Sequence, residues 1–183
     1  MPSATSATPF VRVFETPLGW FAMLGTSTGL TRLTFGHDSA DDAIDSLPVP
    51  GDAELDSCPD WMIDAEDLLS RFADGEPVDL NEIPLDLPKT TAFEDQVRRS
   101  LQRVGFGETI SYADLAAAAG SPGAARAVGN IMRKNPVPLV IACHRVIGAG
   151  GKLGGYSAPS GLAMKKHLLQ LERGVCVPVA AVR

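Results

Sequence analysis

The sequence predicts an α/β N-terminal domain of antiparallel strands plus helix, joined to a mainly α C-terminal domain that contains a helix-turn-helix. Three observations predict it. Apolar residues alternate at period two within residues 10–35 and then recur at helical spacing over 61–72. A stretch with Gly75, Pro77, Pro84 and Pro88 and few apolar repeats, residues 75–91, separates that half from the rest. Beyond it come three helical segments, the second and third joined by a short turn containing glycine. The expected division is a disordered tail 1–9, an N-terminal domain 10–74, a linker 75–91, a C-terminal domain 92–175 and a tail 176–183.

Phe10 to Phe14 alternates, Thr16-Pro17-Leu18-Gly19 turns, and Trp20 to Leu24 returns as a second strand. Gly25 to Gly29 turns again into a third strand, Leu30 to Phe35. A short helix is expected over 38–47, capped by Asp38 or Ser39. Trp61, Ala65, Leu68, Leu69 and Phe72 share one face of the next helix, which Gly75 ends, and Trp61 is expected in the core. In the second half, Phe93, Val97, Leu101 and Val104 share a helical face. Ser111 caps a helix over Tyr112–Ala119 that Gly120 closes, and Pro122 stands near the start of another over Gly123–Arg133. That last helix carries Ala124, Ala125, Ala127 and Gly129 around Arg126. So bare a surface suits close backbone approach to a minor groove better than the reading of major-groove edges. An ordinary helical hairpin has the same pattern.

The net charge of −6 conceals a division. Residues 98–173 hold 11 Lys and Arg against 3 Asp and Glu, a net of +8, while the remainder holds 5 against 19, a net of −14. A local basic face is what phosphate binding requires, whatever the whole-chain charge. The three cysteines, Cys58, Cys143 and Cys176, are too few and too scattered for a disulfide framework, which suits a reducing compartment. Residues 1–9 lack the basic and apolar regions of a secretory signal, and no apolar run is long enough for a membrane span. The expectation is a cytoplasmic monomer, nuclear if the source is eukaryotic.

Candidate chemistry concentrates in 135–156. Val137 to Ala142 reads as a short buried strand that delivers Cys143 and His144, with a glycine-rich turn from Gly148 to Gly155 behind them. A thiol is mostly protonated at neutral pH and reacts as the thiolate, so an imidazole able to take its proton, directly or through a water, activates it. A buried structural cysteine beside a histidine is the plainer reading of the pair alone.

The pair has company. Asn135-Pro136 with Ile141-Ala142-Cys143-His144-Arg145-Val146 closely resembles the active-site signature of the methylated-DNA–protein-cysteine methyltransferases, the O6-alkylguanine-DNA alkyltransferases. Gly107-Glu108-Thr109, Ser111-Tyr112, Ala125 to Gly129, Gly155-Tyr156-Ser157, Lys165, Leu168-Leu169 and Glu172 resemble further motifs of that family, from about Phe93 to Glu172. The resemblance implies a ribonuclease-H-like N-terminal domain and a C-terminal domain that binds DNA and carries the catalytic site. It implies double-stranded DNA containing alkylated guanine as partner. The alkyl group would pass irreversibly from guanine O6, and from O4-alkylthymine, to Cys143 after the base is flipped out. Each molecule would act once.

By the same resemblance, Glu172 and His144 activate Cys143 through a water, Tyr112 donates to guanine N3, and Asn135 ties the helix-turn-helix to the active-site strand. Pro138, the Val146 carbonyl, Tyr156 and Ser157 line the guanine pocket. Arg126 replaces the flipped base in the stack, and Ala125, Ala127, Gly129 and Tyr112 face DNA. Arg145 has a structural ion-pair role. No cofactor is implied. Some family members hold a structural zinc, but the N-terminal domain offers only His37 and Cys58, so none is expected.

Two departures stand out. Ala142 replaces the proline usual before the cysteine, and Ala158-Pro159-Ser160-Gly161-Leu162 makes the following loop two residues longer than one common version of the pattern. The longer loop implies altered tolerance of bulky adducts. A non-repairing protein of the same fold that senses alkylated bases is the alternative, although alkyltransferase-like proteins carry Trp in place of the cysteine. A cysteine hydrolase leaves the helix-turn-helix unexplained, and a transcription factor would need a less bare helix.

Overall fold

The computed structural model describes residues 8–54 and 57–174. Cys176, the C-terminal tail 176–183 and most of the N-terminal tail lie outside the described residues. Three strands, β1 (Phe10–Thr16), β2 (Gly19–Gly25) and β3 (Leu30–His37), form an antiparallel sheet in the order β1-β2-β3. Gly19 reverses the chain at φ +95°, and Thr16 Oγ1 accepts from Leu18 N and donates to the Gly19 carbonyl. Strand alternation gives the sheet two apolar faces. Phe14, Phe21 and Phe35 pack in succession on one face, with ring centroids 5.4 Å apart, and Met62, Ala65, Leu69 and Phe72 of helix α2 (Asp60–Ala73) join the same cluster. Val11, Ala22 and Leu24 on the other face meet Ala43 of α1 (Ala40–Asp45) and Leu47. Ser39 caps α1, accepting from Asp42 N.

Trp61 packs against the core cluster from its margin rather than inside it. It is half-buried at the sheet margin, its Nε1 donating to the Thr26 carbonyl and its ring filling the space where a Cβ on Gly25 would stand. A buried indole N–H needs a partner, and the Thr26 carbonyl supplies it.

Residues 75–91 are more ordered than their composition suggests. β3 is an edge strand, and its free backbone groups need partners. Leu30 donates to the Pro84 carbonyl at 2.8 Å and accepts from Asp86 N at 3.0 Å, while Leu33 N donates to the Pro136 carbonyl at 3.0 Å. The Asp86 carboxylate accepts from the hydroxyls of Thr26 and Thr28. The edge of β3 thus holds both the connecting segment and the loop leading to Cys143.

The second half has three helices before that loop: α3 (Ala92–Leu101), α4 (Tyr112–Ala118) and α5 (Ala125–Arg133). Ser111 caps α4 by accepting from Asp114 N. Gly120 and Gly123, at φ +77° and +92°, shape the α4–α5 turn. Because Gly123 is left-handed and Ala124 not yet helical, α5 begins two residues later than its composition predicts. Strands β4 (Ile110–Ser111) and β5 (Val146–Ile147) pair in parallel, and α6 (Gly161–Glu172) closes the described chain.

The strand expected over 137–142 does not form. The segment folds as a tight turn with a bridge between Pro138 and Ile141 and Leu139 at φ +71°. Asn135 substitutes for a neighbouring strand: its Nδ2 donates to the Ile141 carbonyl at 2.7 Å and its Oδ1 accepts from Val137 N at 3.1 Å. Proline at 136 and 138 and this side-chain clamp override the β-forming content of Val137, Val140 and Ile141.

Candidate active site

Cys143 begins a single turn of 3-10 helix, Cys143–Arg145, directly after the clamped turn. Cys143 is 7% exposed and lines a cavity of about 740 Å³. Around that cavity stand Tyr112 at the start of α4, Arg126 and Asn130 on α5, Asn135, Tyr156 and Pro159. Ala125, Gly129, Pro138 and Ser157 also line it, whereas Ala127 is exposed on α5 outside the lining. The edge of β3, through Leu33, Thr34 and Phe35, supplies a wall that nothing in the sequence pattern announces. Gly154 lies hard against Tyr112, and a Cβ there would come within 2.6 Å of the phenolic oxygen. Ser157 Oγ donates to the Arg133 carbonyl at 3.3 Å, which pins the rim loop to the end of α5.

Behind the cysteine lies a buried charge cluster. His144 is fully buried and its Nε2 donates to Glu172 Oε1 at 2.7 Å. Arg145 brackets the same carboxylate, with Nε 3.1 Å from both oxygens and Nη2 2.9 Å from Oε1, while its Nη1 donates to the Val104 carbonyl. Gly107 N adds a bond to Oε2 at 3.1 Å. Burial alone would raise the Glu172 pKa, but the bonds from His144 and Arg145 outweigh it and lower it to about 2. The His144 pKa is lowered, first by burial, against the opposing pull of Glu172. The pair is therefore a carboxylate facing a neutral imidazole. With Nε2 carrying the hydrogen, Nδ1 is a bare acceptor, and it has no hydrogen-bond partner among the described residues. No hydrogen bond joins the ring directly to the Cys143 sulfur. Phe72 of α2 meets the imidazole edge-on at 6.2 Å.

Burial pushes the Cys143 thiol up, while Asn135, Lys165 and Tyr156 act in the other direction. No group hydrogen-bonds the Tyr156 hydroxyl in good geometry among the described residues, yet it is close enough to interact with the sulfur. Val146 stands apart from the expected lining. It is fully buried in the β4–β5 pairing, and its carbonyl accepts from Lys165 Nζ at 2.6 Å.

Lys165 is the residue whose part the sequence pattern leaves unassigned. It is fully buried on α6 with its ammonium 6.0 Å from the Tyr112 ring centroid, and it makes no ion pair among the described residues. Burial lowers its pKa, and the neighbouring Cys143 opposes that. A sequence signal for it exists: Lys165, Leu168, Leu169 and Glu172 fall at i, i+3, i+4 and i+7, so two charges share an otherwise apolar helical stripe.

Ala142 keeps the backbone its family resemblance suggests for proline. Its φ is −71°, its N–H makes no hydrogen bond among the described residues, and a second cavity of about 250 Å³ beside it has room for a ring. Ala142→Pro is expected to raise stability by about 0.4–1 kcal/mol by restricting the unfolded chain. Denaturant midpoints at constant m-value measure it, and a loss of stability would show that the ring clashes.

A family profile described as "6-O-methylguanine DNA methyltransferase, DNA binding domain" matches residues 92–174. A methylated-DNA–protein-cysteine methyltransferase of Mycolicibacterium paratuberculosis is 38% identical over 162 residues, covering 88% of this chain and 91% of the relative. The chain belongs to the methylated-DNA–protein-cysteine methyltransferases. The human methyltransferase of that name is 36% identical over 165 residues, 86% of this chain and 77% of its own. In structure, Mycobacterium tuberculosis OGT in complex with DNA superposes with a TM-score of 0.76 at 33% identity, over 94% of this chain and 98% of that one. The methyltransferase fold therefore extends through the N-terminal sheet, beyond the reach of the family profile.

Proposed function

We propose that this methyltransferase repairs duplex DNA by moving the alkyl group of O6-alkylguanine, and of O4-alkylthymine, onto Cys143. The observation that carries the proposal is the shared cavity: Cys143, Tyr112 and Arg126 of α5 all line one space open to solvent. A base stacked in a duplex presents its O6 to the groove, out of reach of such a sulfur, so the target must be flipped out. The exposed α4–α5 unit acts as the helix-turn-helix, with Ala125, Ala127 and Gly129 letting the α5 backbone approach DNA and Arg126 filling the vacated stack. The N-terminal sheet with α1 and α2 is taken as the ribonuclease-H-like unit, with the domain limits at 10–74 and 92–175. No helix among the described residues is long and apolar enough to cross a membrane.

In the proposed reaction His144 Nδ1, the bare acceptor, takes the Cys143 proton through a water. Glu172 remains ionised and holds the ring by Nε2–H, so the imidazolium that forms is stabilised. The thiolate attacks the alkyl carbon in line; the S–C bond forms as the C–O bond breaks, and the electron pair leaves on guanine. Tyr112 donates to guanine N3 and neutralises the departing base. Asn135 holds the turn that presents the sulfur. Pro138, Tyr156 and Ser157 surround the base. The thioether has no route back to the thiol, so each molecule acts once and needs no cofactor.

The test is incubation with duplex DNA bearing one O6-methylguanine, followed by mass spectrometry of the peptide containing Cys143. Gain of one methyl group on that residue, saturating at one equivalent, is the expected result. Catalytic turnover, or methylation elsewhere, overturns the assignment.

A further inference from the structure

Asn130 has no role in the reaction as described, and the fold makes no use of it. It is exposed on α5, one turn beyond Arg126 on the same face, and lines the rim of the Cys143 cavity. Its carboxamide makes no hydrogen bond among the described residues. With Gly129 it forms a pair of poor helix formers in the middle of a short helix, a choice that helix stability alone does not favour. The neighbouring Ala127 and Gly129 do not screen it, so its amide is the projecting neutral hydrogen-bonding group on this face.

We infer that Asn130 reads the minor-groove edge of the base pair beside the lesion and favours a G·C pair there. The inference rests on the proposed entry of α5 into the minor groove. A minor groove offers only acceptors at an A·T pair but adds the guanine N2 amino donor at G·C. A carboxamide both accepts and donates, so Oδ1 takes a hydrogen from guanine N2 while Nδ2 donates to a neighbouring ring nitrogen or carbonyl. At A·T only the donor is used and Oδ1 goes unmatched. Arg126 supplies charge and bulk but no acceptor, so it cannot make this distinction. Asn130 is thus a specificity-determining residue for sequence context, with no part in the chemical step.

The experiment measures single-turnover methyl transfer to Cys143 from duplexes with one O6-methylguanine, the pair on each side being G·C or A·T. The wild-type protein is expected to react roughly fivefold or more faster with G·C on one particular side, the scale of about 1 kcal/mol of base-edge discrimination. Asn130→Ala should bring that ratio to about one. Asn130→Asp, which keeps the acceptor, should retain the preference while reacting more slowly with every duplex through phosphate repulsion. The ratio is internal to each variant, so a general loss of affinity does not imitate it. Context effects from DNA deformability alone would persist in Asn130→Ala. An unchanged ratio in that variant, or a wild-type ratio of one, overturns the inference while leaving the repair reading intact. Absence of methyl transfer from every duplex overturns both.

Discussion

Glu172→Ala is expected to cost about 3–5 kcal/mol of stability and to reduce methyl transfer by on the order of 10²-fold or more. The Glu172 side chain is 0% exposed, and its carboxylate is the common partner of His144, Arg145 and the Gly107 amide. Removing it leaves a guanidinium and an imidazole N–H without their acceptor in a water-poor interior, which is the costly way to break a buried pair. Proton linkage gives the same cluster a pH signature. Glu172 titrates at about 2 in the fold against an ordinary 4.5. Below 4.5 the unfolded chain takes up a proton the folded one refuses. A contribution of about 3 kcal/mol, complete above that pH, therefore drains away as the pH falls towards 2. His144 acts in the same direction and earlier: its folded pKa is lowered from 6.5, so the unfolded chain binds the extra proton once the pH drops below that value. Urea midpoints from pH 7 to 3 should show the gap between wild type and Glu172→Ala closing as the pH falls below 4.5. A gap that stays constant would mean the carboxylate is not held ionised by its neighbours.

How much of this was legible in the sequence depended on how local each feature was. The β1–β2–β3 meander was legible because period-two alternation and glycine turns act within a few residues, and the caps Ser39 and Ser111 for the same reason. The turn at 137–142 is not legible there, because Val, Leu and Ile in sequence look like a buried strand. What decides the matter is a clamp from Asn135 onto Ile141 and the docking of Pro136 on β3, neither visible in a window of sequence. The grouping of Cys143, His144 and Glu172 near one another rested on resemblance. Their spacing of 29 residues carries no geometric information until α6 is packed behind the 3-10 turn. The wall from Leu33 to Phe35 was beyond sequence reasoning, since it depends on how an edge strand meets the second half of the chain.

Lys165→Met is expected to separate reactivity from stability. The thiol of Cys143 is pushed up by burial, and the Lys165 ammonium is among the groups that resist this, so without it less thiolate exists at neutral pH. Transfer should slow by on the order of 10²-fold near pH 7, the scale of an acid–base contribution. The deficit should narrow as the pH rises and hydroxide ionises the thiol without help. Stability should change little, because two effects oppose one another. The fold no longer keeps an ammonium out of water, a gain since burial lowers the Lys165 pKa and the unfolded chain holds that proton more tightly at neutral pH. Against this, the Val146 carbonyl loses its donor at 2.6 Å, a cost of about 1–3 kcal/mol for a buried acceptor. Methionine fills most of the lysine stem's volume, so no large cavity opens. Rates of Cys143 methylation across pH 6 to 9, beside thermal melts of both proteins, decide the matter. A deficit equal at every pH would mean that Lys165 serves the site by shape alone, and a collapse of the melting temperature would mean that its bond to Val146 holds β5 and α6 together.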